Sequence, residues 1–256
     1  MKAGDDPAAF YAAGYSLADR EESLMLGRWR ELGARTKAAH AVALWRRVGG
    51  PTSVVEIGCG EGALLAELAR AWPQARFDGF ELSEPAIEIA RSRGIPRAGR
   101  LEAYDGAHVP AEDEAYDLAV LSHVLEHVPD PLPLLREAAR VARRVLVEVP
   151  LEDNRSGRRP VHRAESERIG HLHQFKRSDV HALVAAAGLQ VERELTDPLP
   201  REHHGFFAGS AAARGRAALK WAVRAAVWKL APQGGEKWFT VHYAVLTGPS
   251  RREVGS

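Results

Sequence analysis

Apolar positions along this chain alternate between two periods, and the switches between them mark out its elements. From Glu21 to Val48, Leu24, Leu26, Trp29, Leu32, Ala39, Val42, Leu44 and Trp45 recur every three or four residues, which predicts a helix closed by Gly49, Gly50 and Pro51. Short β-branched runs then take turns with amphipathic segments. SVVEIG (53–58), RFDGFEL (76–82), RLEAYD (100–105), YDLAVLS (116–122) and RVLVEVP (144–150) read as strands. ALLAELARAW (63–72), SEPAIEIARSR (83–93, capped by Ser83) and PLPLLREAARVA (131–142) read as helices. The strands are apolar on both faces, and each is reached through a helix, so the pattern predicts parallel βαβ units in a doubly wound sheet.

The rhythm breaks after Pro150. Residues 151–175 are polar, basic and rich in histidine, too long for an ordinary connection, and are expected to form a substrate loop. SDVHALVAAAG (178–188) predicts a helix capped by Ser178 and closed by Gly188. LQVEREL (189–195) and WFTVHYAVLTG (238–248) alternate as strands, with a helix near 211–231 between them. The expected organisation is an N-terminal helical lid (1–50) and one α/β domain (51–256) carrying a helical insert at 197–236.

Composition narrows the function classes. The 256 residues, 45% apolar with formal net charge +1, suit one large α/β domain and exclude wholesale disorder. Near-neutrality speaks against a nucleic-acid binder. The one cysteine, Cys59, cannot close an internal disulfide. With no secretory signal in MKAGDDPAAFYAAGYS and no apolar run long enough to span a bilayer, the expected compartment is the cytoplasm. Charge is uneven, however: residues 211–256 carry eight Lys or Arg against two Glu. In 214–231, Arg216, Lys220 and Arg224 follow at four-residue spacing beside Trp221 and Trp228. That pattern suits an amphipathic cover helix, and also contact with a lipid surface or an acidic substrate.

The chemistry centres on Glu56-Ile-Gly58-Cys-Gly60-Glu-Gly62 at a strand-to-helix junction. Glycines there let a ligand approach the backbone, and the helix start offers unpaired N–H groups. The loop also satisfies the loose dinucleotide fingerprint, which keeps an NAD-type oxidoreductase as an alternative. Three carboxylates favour another ligand. Glu56, just before the glycines, would repel a pyrophosphate but suit a cation; Glu81 ends the second strand, where a ribose hydroxyl could bind; Asp105 ends the third, within reach of an adenine amine. Ribose, adenine and a positive centre without phosphate describe S-adenosylmethionine (SAM).

VVEIGCGEG (54–62), FELSEPAIEIA (80–90), YDGAHVP (104–110) and LAVLSHVLEHVPDP (118–131) occur in order, and through them the chain resembles the class I SAM-dependent methyltransferases over roughly 50–195. Its LEHV element resembles the branch containing small-molecule and ubiquinone-pathway enzymes. The resemblance implies a Rossmann-like seven-stranded sheet with its last strand antiparallel. It also implies that Glu56, Gly58, Gly60 and Gly62 hold the methionine end and ribose side, and that Glu81 binds the ribose hydroxyls. Leu82 would lie against adenine, Asp105 would meet its amine with Gly106 alongside, and Ser122 and His123 would line the sulfonium. Where the family often has Pro-Gly-Gly before the fifth strand, this chain has Ala142-Arg143-Arg144. The implied reaction is methylation of an O, N or C nucleophile on a small biosynthetic intermediate; a non-catalytic SAM-binding module is a second alternative.

Histidines supply the candidate catalytic groups. His123-Val-Leu-Glu126-His127 matches H-x-x-E-H, but Pro129 and Pro131 leave room for only one helical turn, so no metal is expected and both histidines are assigned to the transfer site. His171 and His173 in GHLHQF (170–175) are expected to meet the acceptor, with imidazole as general base. Arg35 or Lys37 could pair the SAM carboxylate.

Overall fold

The computed structural model describes residues 20–45 and 50–250. The part of the expected lid before Arg20, and the end of the first predicted helix at 46–49, lie outside them. In chain order the elements are α1 (Arg20–Leu44), β1 (Ser53–Ile57), α2 (Ala63–Ala71), β2 (Arg76–Glu81), α3 (Glu84–Ser92), β3 (Ala98–Ala103), β4 (Leu118–Ser122), α4 (Pro131–Val141), β5 (Val145–Leu151), α5 (Pro160–Arg168), α6 (Arg177–Ala186), β6 (Leu189–Asp197), α7 (Arg201–Gly205), α8 (Ala211–Leu230), α9 (Pro232–Trp238) and β7 (Val241–Pro249). The seven strands form one sheet in the order β3-β2-β1-β4-β5-β7-β6. β1 pairs parallel with both β2 and β4, and β7 runs antiparallel between β5 and β6. The sheet is the one the pattern and the resemblance predict.

Alternation along each strand sends side chains to two cores. Val55, Ile57, Ala119, Leu121, Val147 and Val149 pack under α4 and α6. On the opposite face Val54, Leu118, Val120, Leu146, Ala244 and Leu246 pack with α1, α2 and α3. The second face changes character at the carboxyl edge: the next positions in its rows are Glu56, Ser122, Glu148 and His242. The pleat that buries the apolar residues therefore also collects four polar ones beneath α1.

Several local expectations need correction. Ser178 lies inside α6; the cap position is Lys176, whose N–H is taken by the Asp179 carboxylate at 2.9 Å. Ser83 does cap α3, accepting from Ala86 N–H, and Gly188 closes α6 with φ +77°. Residues 151–175 are not a continuous loop, because Pro160, pre-set for a first helical position, opens α5. β3 stops at Ala103 since Asp105 folds into a turn, accepting the Ala107 and His108 N–H groups at 2.8 and 2.7 Å. β7 begins only at Val241, because α9 runs through Trp238.

The supposed lid is half core. Ala34, Ala38, Ala41 and Leu44 of α1 are buried, while Trp29 nearer its start sits 5.1–5.5 Å from the rings of His203, Phe206 and Phe207. Arg30 and Arg93 both pair with Glu61, fastening α1 and α3 to the glycine loop.

Candidate active site

A cavity of about 740 Å³ opens beyond the carboxyl ends of β1, β2 and β4, where the strand order reverses. Gly58, Gly60, Glu81, Leu82, Asp105 and Gly106 line one side, and His123 and His127 line the other. Gly58 (φ +79°) has no room for a side chain: a Cβ there would stand 2.5 Å from Val124 Cγ2. At Gly106 (φ +81°) it would stand 2.8 Å from Leu82 Cδ2. Bare backbone at these points brings the loops against whatever occupies the cavity. Gly62 does not line it; its missing side chain admits Ile95 and Ala90, so this glycine lets α2 and α3 pack.

Glu81 is a hub. Oε2 accepts Gly60 N–H at 3.0 Å, and Oε1 accepts Leu82 and Ser83 N–H at 2.8 and 3.2 Å. One carboxylate thus shapes both loops that flank the cavity floor. Glu56 lies just behind the glycines, 4% exposed, with Oε2 lacking a hydrogen-bond partner. Burial pushes its carboxyl up to about 8, against the pull of the Lys37 ammonium from α1. Burial, and to a lesser degree the Lys37 ammonium, holds His123 and His127 below the usual imidazole range. Arg35 instead turns to Glu67, 3.7 Å away. Ser122 is buried, its Oγ has no hydrogen-bond partner, and it does not line the cavity.

Opposite the glycines, the segment after β4 reverses direction at His123, whose φ of +56° is rare for a side-chain-bearing residue. No helix forms between β4 and α4, so His123 and His127 share no helix face. His127 Nδ1 meets the Gly170 carbonyl at 3.2 Å, which puts the ring's lone pair on Nε2; burial holds this imidazole below its usual pKa, hence neutral near pH 7. His171 lies edge-on to His127, ring centroids 4.8 Å apart, and its Nδ1 contacts Glu152 at 2.8 Å. Burial lowers the His171 pKa, but Glu152 outweighs burial and raises it. His173 donates to the Val128 and Pro129 carbonyls at 2.9 and 3.2 Å. Neither His171 nor His173 lines the cavity.

Four further groups lie beyond what the motifs suggested. Buried Glu148 Oε1 receives His242 Nδ1 at 3.1 Å and His40 Nδ1 at 3.3 Å, and His40 Nε2 reaches Asp197 at 3.0 Å. Burial opposes ionisation of Glu148, yet these two histidines hold its carboxyl well below the usual range. His40, pulled down by burial but raised more by Asp197 and Glu148, reaches about 9 and so donates from both nitrogens. The signal was present as charge at buried positions, Glu148 in LVEVP and His242 in TVHYAV, but nothing in sequence joined α1 to β5, β6 and β7.

A crossover sheet with its cavity at the strand reversal, floored by glycine backbone and walled by carboxylates, defines a doubly wound α/β protein with a ligand site at the carboxyl edge of its sheet. A family model described as a methyltransferase domain matches residues 26–194, and this chain belongs to that family. Among curated relatives, the ubiquinone biosynthesis O-methyltransferase of Vibrio cholerae is 28% identical over 130 residues, 46% of this chain and 52% of the relative. That of Bordetella parapertussis is 31% identical over 135 residues, 47% and 54% of the two chains. The chain thus spans about half the length of these relatives. Among solved structures, geranyl diphosphate C-methyltransferase from Streptomyces coelicolor A3(2), in complex with Mg2+, geranyl diphosphate and S-adenosyl-L-homocysteine, superposes with TM-score 0.63. Its identity is 13%, over 84% of this chain and 77% of that one. Mitomycin 7-O-methyltransferase gives TM-score 0.60 at 21% identity, over 94% and 60%. These likenesses show the fold.

Proposed function

We propose that this chain transfers a methyl group from SAM to a hydroxyl oxygen of a small-molecule biosynthetic intermediate. The observation that carries the reading is the two-sided cavity, with glycine backbone and carboxylates on one wall and neutral imidazoles on the other. The residues present fit the cofactor. Gly58 and Gly106 leave space a Cβ would fill, and the unpartnered Oε2 of buried Glu56 suits a cationic group. Glu81 and Asp105 would meet ribose and adenine, Leu82 would pack on the base, and Lys37 rather than Arg35 would pair the carboxylate. When bound, SAM supplies an electrophilic methyl on a sulfonium.

His127 takes the acceptor proton on Nε2, with Gly170 fixing the tautomer and His171 positioning the ring. His123 closes the wall beside it. Holding nucleophile and methyl in line contributes roughly 7–11 kcal/mol of the barrier reduction. The segment 151–175, which backs this wall through the Gly170 carbonyl, and the insert 197–236 would close the acceptor side against water. Contact with a lipid surface through 214–231 also belongs to this proposal: α8 has no buried residue and exposes Leu219, Val223 and Leu230 among its basic side chains. No helix among the described residues is long and apolar enough to cross a membrane.

The test begins with mass spectrometry of ligand carried through purification, where SAM or its demethylated product is expected. Radiolabelled SAM is then offered with catechols, phenols and aliphatic alcohols. Label transfer to an oxygen is the expected result; NADH binding with SAM ignored overturns the reading.

A further inference from the structure

Two groupings of metal-ligand-type side chains occur among the described residues: Glu126, His127 and His171, and separately His123, Glu148 and His242. The second has the organisation of a metal centre. We propose that His123, Glu148 and His242, converging from the carboxyl ends of β4 and β5 and the start of β7, bind one divalent transition-metal ion beside the cavity.

Three observations carry this. The donor atoms lie at ligand-to-ligand spacing: His242 Nδ1 is 3.1 Å and His123 Nε2 is 3.9 Å from Glu148 Oε1. Donors about 2.0–2.2 Å from a common ion sit about 3–3.5 Å apart, and the three donor atoms here all lie within 4.8 Å of one another, so binding an ion draws the His123 ring inward. Two of the donor atoms lack other occupation: Glu148 Oε2 and His123 Nε2 are buried polar atoms without a hydrogen-bond partner, while His242 Nδ1 now bonds Glu148 Oε1 and would exchange that bond for the ion. Such atoms are costly unless something binds them.

The third observation is the surrounding shell. A metal-bound imidazole ordinarily turns its second nitrogen to a carboxylate, and a metal-bound carboxylate is itself hydrogen-bonded. His123 turns Nδ1 to Glu126 Oε1 at 3.0 Å, a close contact out of hydrogen-bonding alignment. Glu148 is held by His40, and His40 by Asp197. His242 and His123 face each other with ring centroids 4.5 Å apart. A separate carboxylate or histidine thus backs two of the three proposed ligands. Two nitrogens and one oxygen favour zinc or a neighbouring first-row ion over magnesium or calcium, which prefer all-oxygen shells.

Three protein ligands leave a position open, and His123 lines the cavity, so that position faces the acceptor. An acceptor hydroxyl bound there would pass its proton more readily to His127 Nε2, and its oxygen would form the new C–O bond as the C–S bond of the sulfonium breaks and the neutral thioether leaves. This use rests on the methyl-transfer reading; the presence of the ion does not, and the two are tested apart.

The experiment is equilibrium dialysis of the untagged chain against Zn2+, followed by elemental analysis. Co2+ substitution read by visible absorption reports the ligand set without any variant. One ion per chain is expected, with cobalt bands of a four- or five-coordinate nitrogen–oxygen site. His242→Gln and Glu148→Gln should each weaken binding at least tenfold while circular dichroism and SAM binding persist; His171→Ala should leave it unchanged. Absence of a stoichiometric ion in the wild-type chain overturns the proposal, as does binding that survives both variants or is lost with His171→Ala. If a variant fails to fold, the cobalt spectrum of the wild type still decides.

Discussion

The two walls of the cavity are built on different principles. The glycine-side wall comes from β1, β2 and the turn after β3, with its contacts made by backbone and its one hub, Glu81, bonding loop N–H groups within about twenty residues. The histidine-side wall shows His123 and His127 from the turn after β4 to the cavity, and behind them stand His40 from α1, Glu148 from β5, His171 from beyond α5 and His242 from β7. Its contacts are between side chains, and Glu148 joins partners 108 and 94 residues away in sequence. One wall is thus set by local backbone, and the other is backed by side chains brought together over long sequence distances.

Variants can break this contrast cleanly. The largest effect is expected at His127: replacement by Ala should lower methyl transfer on the order of 10²–10⁴-fold, the range for loss of a general base, with SAM affinity nearly unchanged by calorimetry. The deficit should shrink as pH rises and the acceptor ionises unaided. His171→Ala should show a smaller deficit, and His173→Ala almost none, because His173 is committed to the Val128 and Pro129 carbonyls.

Gly58→Ala tests the other wall and should damage both binding and stability. Left-handed backbone with a Cβ costs roughly 1–2 kcal/mol, and contact with Val124 adds to it, so SAM affinity and the melting midpoint should fall together. Glu81→Ala should weaken SAM by roughly 1–3 kcal/mol through lost hydrogen bonds, read by titration calorimetry.

A finer test concerns pH. Glu56 stands near 8 in the folded chain, so below that pH its carboxyl is protonated and a cationic ligand must expel the proton to gain a charged partner. SAM affinity should rise from pH 6 to about pH 8 and level off above, with proton release visible in calorimetry across buffers of different ionisation heat. Glu56→Gln should flatten the profile. The smallest effect is at the rim: Lys37→Met should weaken SAM by several-fold and Arg35→Met should not.

Legibility in the sequence divides along the same line. The seven strands and the helices α1, α2, α3, α4, α6 and α8 follow from apolar period, because sheet and helix burial impose that period locally, whereas the short α5, α7 and α9 carry no apolar stripe and were not read. The glycine-side wall was equally readable, since its residues lie in three short motifs. Ser178 was misread as a cap because a serine before an apolar run looks like one, whereas Asp179 captures the Lys176 N–H and starts the helix earlier. His171 and His173 looked equivalent at i, i+2; in an extended segment that spacing does not decide which ring turns to Glu152 and which to the carbonyls. His40, Glu148, Asp197 and His242 carried no motif, because their common feature is one sheet face at one edge, a property of strand order rather than of spacing.

The insert between β6 and β7 leaves the sheet at Asp197 and re-enters at Val241, and Asp197 pairs directly with His242. Its two ends are therefore neighbours on adjoining antiparallel strands, the geometry of an oversized hairpin loop. Such a segment can be lengthened, shortened or exchanged as a cassette without altering register anywhere in the sheet. A chimera that exchanges 198–240 should therefore keep the sheet and the glycine-side wall intact.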